Sequence, residues 1–92
     1  MWDEKKNRAN RTNHGLSFET AQRVFEDPLA ASRPDPYRGE ERWQTIGAME
    51  MVVVLVIHTF PLPDAETGEE VGRIISARKA TRRERMAYEE EG

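Results

Sequence analysis

The chain has 92 residues, 37% apolar and 34% charged, with 17 acidic against 14 basic side chains for a formal charge of −3; so short a chain makes one domain with a thin core, burying only about 60–65% of the surface its unfolded form exposes. It has no cysteine, which excludes disulfides and thiolate metal sites. The one apolar run, Met51 to Ile57, is far below the roughly 20 residues of a membrane helix, and no charged-then-apolar signal segment opens the chain, so a soluble cytoplasmic protein is expected.

The acidic total argues against a nucleic-acid partner until its distribution is considered. From Arg73 to Arg85 six basic residues (Arg73, Arg78, Lys79, Arg82, Arg83, Arg85) face one acid, Glu84, a local net of +5. Up to Gly15, Lys5, Lys6, Arg8 and Arg11 outnumber Asp3 and Glu4 by two. Two basic islands sit in an acidic chain.

Asp3 predicts an N-cap and His14-Gly15 a stop for a first helix, Glu4 to Asn13, with Trp2 and Ala9 as its narrow inward stripe and a basic outer face. Ser17 caps a second helix in which Phe18, Ala21, Val24 and Phe25 recur at helical spacing, ending at Pro28. Ser32 to Glu40, with Pro34, Asp35, Pro36 and Gly39, reads as an exposed connection. Arg42 to Ile46 and Met51 to Phe60 form the strands of an antiparallel hairpin turning at Gly47-Ala48. Both alternating sets of the second strand are apolar, so it is central and covered on both faces, one by the helices and the other by a further helix, a partner or a second copy.

Pro61 to Gly68 reads as a loop and Val71 to Lys79 as a last strand, with Arg73, Ile75, Ala77 and Lys79 on one face and Ile74, Ser76 and Arg78 on the other. Thr81 and Glu84 have the spacing of a capping box and open a short helix that runs into Glu89, Glu90 and Glu91, acids that favour fraying there. The order gives an α+β fold with helices on one side of an antiparallel sheet, two N-terminal helices packed on it and a short C-terminal helix.

The opening Trp2-Asp3-Glu4-Lys5-Lys6 with Asn10, then His14-Gly15-Leu16-Ser17-Phe18-Glu19 and Val24-Phe25-Glu26-Asp27-Pro28, resembles the N-terminal half of the BrnT toxins. Gly39-Glu40-Glu41-Arg42 with Ile46-Gly47 is similar to the family's middle. The run from Arg73 to Thr81, with Arg83-Glu84-Arg85 and Tyr88, is similar to its end. The resemblance spans almost the whole chain, and Ser76-Ala77-Arg78-Lys79-Ala80 is its most specific stretch. Two departures stand out. Asn13 replaces the lysine that usually precedes His-Gly, removing a candidate cation. The family also commonly carries an apolar residue or two before Trp2, so the edge strand they begin is expected to be stunted.

The resemblance implies a fold like that of the RelE toxins and RNA cleavage as the activity. It also implies an antitoxin of the BrnA kind carrying a ribbon-helix-helix DNA-binding segment, the complex repressing its own operon. A dimeric antitoxin would give a heterotetramer with two toxins.

Metal-free RNA cleavage uses the substrate's 2′-hydroxyl as nucleophile, so the protein supplies a base, an acid for the leaving oxygen, and cations for the phosphorane. Arg73, Arg78 and Lys79 are the candidate cations, guanidinium being a bidentate partner for phosphate oxygens. Arg73 and Arg78 point oppositely unless a bulge re-aims one. His14 is the candidate acid/base by residue type, although a histidine there also caps the last carbonyls of a helix. Arg42, Arg82, Arg83 and Tyr88 are candidates for holding RNA, Tyr88 by stacking a base.

His58 reads as a half-buried sheet histidine and Glu84 as a capping residue before either is a catalyst. Two histidines 44 positions apart make no metal-ligand pattern, and no cofactor loop is present. The competing expectation is a catalytically weak homologue that holds an antitoxin and acts only in operon control.

Overall fold

The computed structural model describes residues 2–36, 39, 41–49, 51–59, 62–63, 70–71 and 73–91. Helix α1 (Glu4–His14) begins where the Asp3 carboxylate accepts the Lys5 N–H at 2.8 Å. It ends where Gly15, in the left-handed region at φ 68°, returns its N–H to the Arg11 carbonyl, the conformation for which glycine is suited. Its inward stripe corrects the sequence expectation, for Ala9 is exposed and the buried residues are Asn7 and Asn10.

Ser17 caps α2 (Phe18–Ala21), which tightens at once into a 3-10 helix, Gln22–Glu26. At three residues per turn the eclipsed positions are Phe18, Ala21 and Val24, and all three are fully buried. Phe25 falls off that stripe and is 47% exposed, its ring edge-on to His58 at 4.9 Å.

Strands β1 (Ala31–Pro34), β2 (Trp43–Met49), β3 (Val52–His58) and β6 (Ile74–Lys79) form an antiparallel sheet in the order β1-β2-β3-β6. A small ladder joins β4 (Leu62–Pro63) to β5 (Glu70–Val71). β1 replaces part of the connection expected from Ser32 onward. It is a wholly exposed edge strand, where proline is tolerated because its missing N–H faces no neighbour. Phe60 and most of the Pro61–Gly68 loop lie outside the described residues.

The hairpin turn also moves. Gly47-Ala48 lie inside β2, and the chain reverses between Met49 and Val52. A Cβ on Gly47 would stand 2.8 Å from Val24 Cγ1 and 3.1 Å from the Val24 carbonyl oxygen, so the glycine is there for the close approach of the 3-10 helix to the sheet.

The register sorts the sheet into two faces. One carries Thr45, Met49, Val54, Val56, His58, Ile74 and Ala77, all buried against α1, α2 and the 3-10 helix, with Trp2 edge-to-face on Phe18. The other carries Ile46, Leu55 and Arg78 and is crossed by helix α3 (Arg82–Glu91), under which Leu55 is 3% exposed. β3 is therefore interior, buried on one face and covered on the other by α3 at Leu55, with Val53 and Ile57 half-buried; the helices lie on both sides of the sheet rather than on the one side expected from their order. The protein is α+β, with a four-stranded antiparallel sheet and three α-helices.

A register shift between Ile57 and His58 corrects the face assignment of β6. His58 pairs with Ile74, which joins Ala77 on the buried face at 5% exposure. It cannot share a face with Ser76 and Arg78. Among the described residues, Trp2 makes an isolated parallel bridge to Ile74 in the place of the expected stunted edge strand.

Candidate functional site

The basic run is built on the junction of β6 and α3. The last rung of β6 is the Ala80 N–H to Val53 carbonyl bond, after which the capping box closes. The Thr81 N–H donates to Glu84 Oε1 at 2.8 Å, and the Glu84 N–H to Thr81 Oγ1 at 3.2 Å. The same carboxylate receives the Arg78 guanidinium as a fork, Nη1 to Oε1 at 2.8 Å and Nη2 to Oε2 at 3.0 Å. Those Arg78 bonds are the main reason the Glu84 carboxyl is pulled down to about 2, and Glu84 in turn raises Arg78. Both groups stay charged at any working pH. A carboxylate so acidic is a poor general base near neutrality, but it fixes the plane of the guanidinium.

One turn on, the Tyr88 hydroxyl donates to the Asp27 carboxylate, which also accepts the Ala48 N–H at 2.8 Å and the Leu29 N–H at 2.9 Å. The Ala48 N–H, then Tyr88 and Leu29, lower Asp27, while the hydrogen bond to Asp27 raises Tyr88. The phenol therefore keeps its proton. Among the described residues two polar links thus hold α3 down, Arg78–Glu84 to β6 and Tyr88–Asp27 to the end of the 3-10 helix, where Asp27 also bonds Ala48 of β2.

Between the links lies a cleft of about 150 Å³. Its floor is a transverse row, Ala31, Ile46 and Leu55, which the register continues to Arg78 on β6. Leu29, Ala87 and Tyr88 form walls, and Glu84 and Arg33 supply its charges. Arg33 is oriented by its Nε donating to Gln44 Oε1 at 2.9 Å, Gln44 in turn donating to Asp35.

The other predicted residues are more dispersed. Lys79 is exposed and pairs in register with Val54, which puts it on the face opposite Arg78. The bulge returns Arg73 to the parity of Arg78, but at the far end of β6, where its N–H donates to Thr59 Oγ1, roughly 15 Å away along the strand. Arg42 lies at that same end, half-buried beside the start of β2. His14 is the exposed last residue of α1. Because Trp2 bridges Ile74 and the Asn10 amide bonds the backbone of Ala77, α1 runs along β6 in the same direction. His14 therefore lies toward the Lys79 end. Arg82 and Arg83 are exposed on the outer side of α3 beside Met86.

His58 is buried at 4% exposure. Its Nδ1 faces the Thr59 carbonyl and its Nε2 lies 2.6 Å from Thr45 Oγ1, so the carbonyl fixes the proton on Nδ1 and the Thr45 hydroxyl donates to Nε2. Burial pushes the imidazole down, and it serves the sheet.

Sequence reasoning missed Arg33 and Asp27. Arg33 was hidden by the prolines around β1. For Asp27 a signal existed, since an aspartate before proline is a turn former that bonds the backbone two residues on, as it does to Leu29. Among the described residues no three His, Asp or Glu side chains gather as a metal would require, and no helix is long and apolar enough to cross a membrane.

A basic edge strand, a guanidinium held in a carboxylate fork and a cleft beside it define a small α+β protein with its basic run gathered at the junction of β6 and α3. The chain belongs to the BrnT family, matching the model of the BrnT ribonuclease toxin of type II toxin–antitoxin systems over residues 2–84. Family membership gives it a protein antitoxin as partner. No individual curated protein matches it.

Proposed function

We propose that this toxin is a metal-independent endoribonuclease with a RelE-like layout, acting in the cytoplasm, arresting growth by cutting RNA. In this reading it is neutralised by a BrnA-like antitoxin with a ribbon-helix-helix segment, two toxins joining an antitoxin dimer. The observation that carries the reading is the Arg78–Glu84 fork at the end of the edge strand, in the middle of the basic run. The substrate's 2′-hydroxyl attacks the adjacent phosphorus, giving a 2′,3′-cyclic phosphate and a 5′-hydroxyl. Arg78, kept charged and planar by Glu84, takes the charge that builds on the phosphorane, with Glu84 as its positioning residue.

Lys79 and His14 flank the same edge from the α1 side, so RNA laid across the end of β6 meets Arg78 on one face and these two on the other. His14 is then the acid/base. Arg73 and Arg42 carry the strand past the far end, and Arg82, Arg83 and Tyr88 hold it along α3. The antitoxin neutralises by masking this edge.

The test is incubation of the purified chain, freed of antitoxin, with total RNA in excess EDTA beside an Arg78→Ala, Lys79→Ala double variant. Cleavage by the parent and a loss of at least about a hundredfold in the variant is expected, as for removal of a transition-state donor. Cleavage abolished by EDTA sinks metal independence.

A second reading, a binding module active only in operon control, draws on two observations. The Glu84 carboxylate is too acidic and the Tyr88 phenol too firmly protonated to act as bases beside Arg78, and Asn13 stands where the family resemblance leads one to expect a lysine. Expression of the chain alone in a bacterial host separates the two readings, because only the nuclease arrests growth.

A further inference from the structure

We propose that the cleft between β1 and α3 is a guanine-binding subsite, in which Arg33 reads the edge of an unstacked base whose phosphate lies at Arg78. The proposal rests on the ribonuclease reading and names the base next to the cut.

Four features of the cleft carry it. At about 150 Å³ it is smaller than the roughly 300–1,000 Å³ of pockets that enclose whole drug-sized ligands, so it takes one planar ring system and leaves the sugar and phosphate outside. Its floor of Ala31, Ile46 and Leu55 is apolar, and Tyr88 offers an aromatic wall, the surroundings in which single-stranded bases are held by proteins. The floor row runs in register from Ala31 on the strand of Arg33 through Ile46 and Leu55 to Arg78, three steps of about 5 Å between paired Cα atoms, a span that one nucleotide bridges together with the two long arginine side chains at its ends. The rim chemistry then selects the base.

Arg33 is a donor only. Its Nε is already given to Gln44, which leaves the pair of Nη groups for a ligand in the cleft that Arg33 lines, and that pair matches two adjacent acceptors. Guanine presents them as O6 and N7, whereas adenine offers an acceptor beside a donor. Glu84 Oε2 takes one bond from Arg78 and keeps a second lone pair for a base N–H, of which guanine also has the complement. The apolar floor alone would suit an aliphatic side chain of the antitoxin equally, but such an occupant would offer the Nη groups of Arg33 no acceptor.

The experiment titrates the antitoxin-free chain in EDTA with the four nucleoside 3′-monophosphates by calorimetry, and repeats it with Arg33→Ala and Arg33→Gln. Guanosine 3′-monophosphate is expected to bind about tenfold or more tighter than the other three, the discrimination of one bidentate base contact. Arg33→Ala erases the difference. Arg33→Gln, which offers a donor beside an acceptor, moves the preference to adenosine, an outcome no merely structural role for Arg33 produces. Equal affinity for all four, or a guanosine preference that survives Arg33→Ala, overturns the subsite, as does a cleft that binds no nucleotide. Binding is read without cleavage, so the two readings fail separately. Guanosine binding by a chain that spares RNA leaves the subsite and removes the nuclease. RNA cut with no Arg33-dependent base preference does the reverse.

Discussion

The two faces of the sheet are closed by different physics. On one, α1 is fixed by amides that are almost fully buried: Asn10 donates to the Leu16 and Ala77 carbonyls at 2.8 and 2.7 Å and accepts the Ala77 N–H at 3.1 Å, and Asn7 accepts the Phe18 N–H at 2.8 Å while donating to Glu19. On the other, α3 hangs from one ion pair whose side chains are 35% and 19% exposed and one phenol–carboxylate bond. Buried neutral hydrogen bonds are costly to leave unmade and indifferent to salt; half-exposed charged ones are weaker and screened. The α1 side therefore holds the fold together, and the α3 side, which carries the cleft and most of the basic run, is the more weakly fastened of the two.

The comparison breaks most visibly at Asn10. Replacing it with alanine strands three buried backbone groups, two on Ala77 and one on Leu16, each costing about 1–3 kcal/mol. The expected loss is about 3–5 kcal/mol, a large part of the ~5–15 kcal/mol that holds a small domain. Urea unfolding measures it, and a loss below about 1 kcal/mol would mean that α1 is no better fixed than α3. Gly47→Ala comes next at about 1–3 kcal/mol, the cost of overpacking, because the added methyl meets the Val24 carbonyl oxygen as well as a side chain that can turn away.

What the sequence made legible follows from the same contrast. Apolar patterning reveals what is buried by the hydrophobic effect, so β3 and the Phe18 stripe were readable, while the sidedness of the helices was not, α3 lying on the face opposite α1 and α2. It is silent on burial by hydrogen bonding: of the inner stripe expected of α1, Trp2 does pack against the core, but Ala9 is exposed and Asn7 and Asn10 take the buried places. The hairpin was legible but its turn was not, since glycine marks close approach as well as reversal. β1 was hidden by residues that also make turns. At the site, the Thr81–Glu84 spacing announced the cap, yet nothing in it announced that Arg78, six residues before Glu84, would share the carboxylate. Arg33 could not be found without the strand that carries it.

The α3 side sharpens the comparison through pH. The folded chain holds the Glu84 carboxyl at about 2 against its ordinary 4.5, so the native state favours the ionised form. This contribution is complete above about pH 4.5 and is lost as pH falls toward about 2. Amide hydrogen exchange in α3 should accelerate across that window while α1, held by neutral amides, changes less. Glu84→Ala imposes the same loss at neutral pH, about 1–2 kcal/mol for the cap and the ion pair together, and leaves little further pH response in α3. Equal acceleration in both helices would show that acid acts on the whole fold.

Tyr88→Phe should be the mildest change. The Asp27 carboxylate keeps the Ala48 and Leu29 N–H bonds when the phenol is gone, so no buried group is stranded and the ring still lines the cleft. The fall in melting temperature should be smaller than for Glu84→Ala, and faster exchange should be confined to the α3 turns around Tyr88. If the two α3 links act as one unit, the double variant Glu84→Ala, Tyr88→Phe loses more than its single variants together, because each link fixes the helix in which the other must form. Simple additivity would instead mean that α3 is hinged turn by turn. The cleft between the links could then open at its Glu84 end while its Tyr88 wall stays closed.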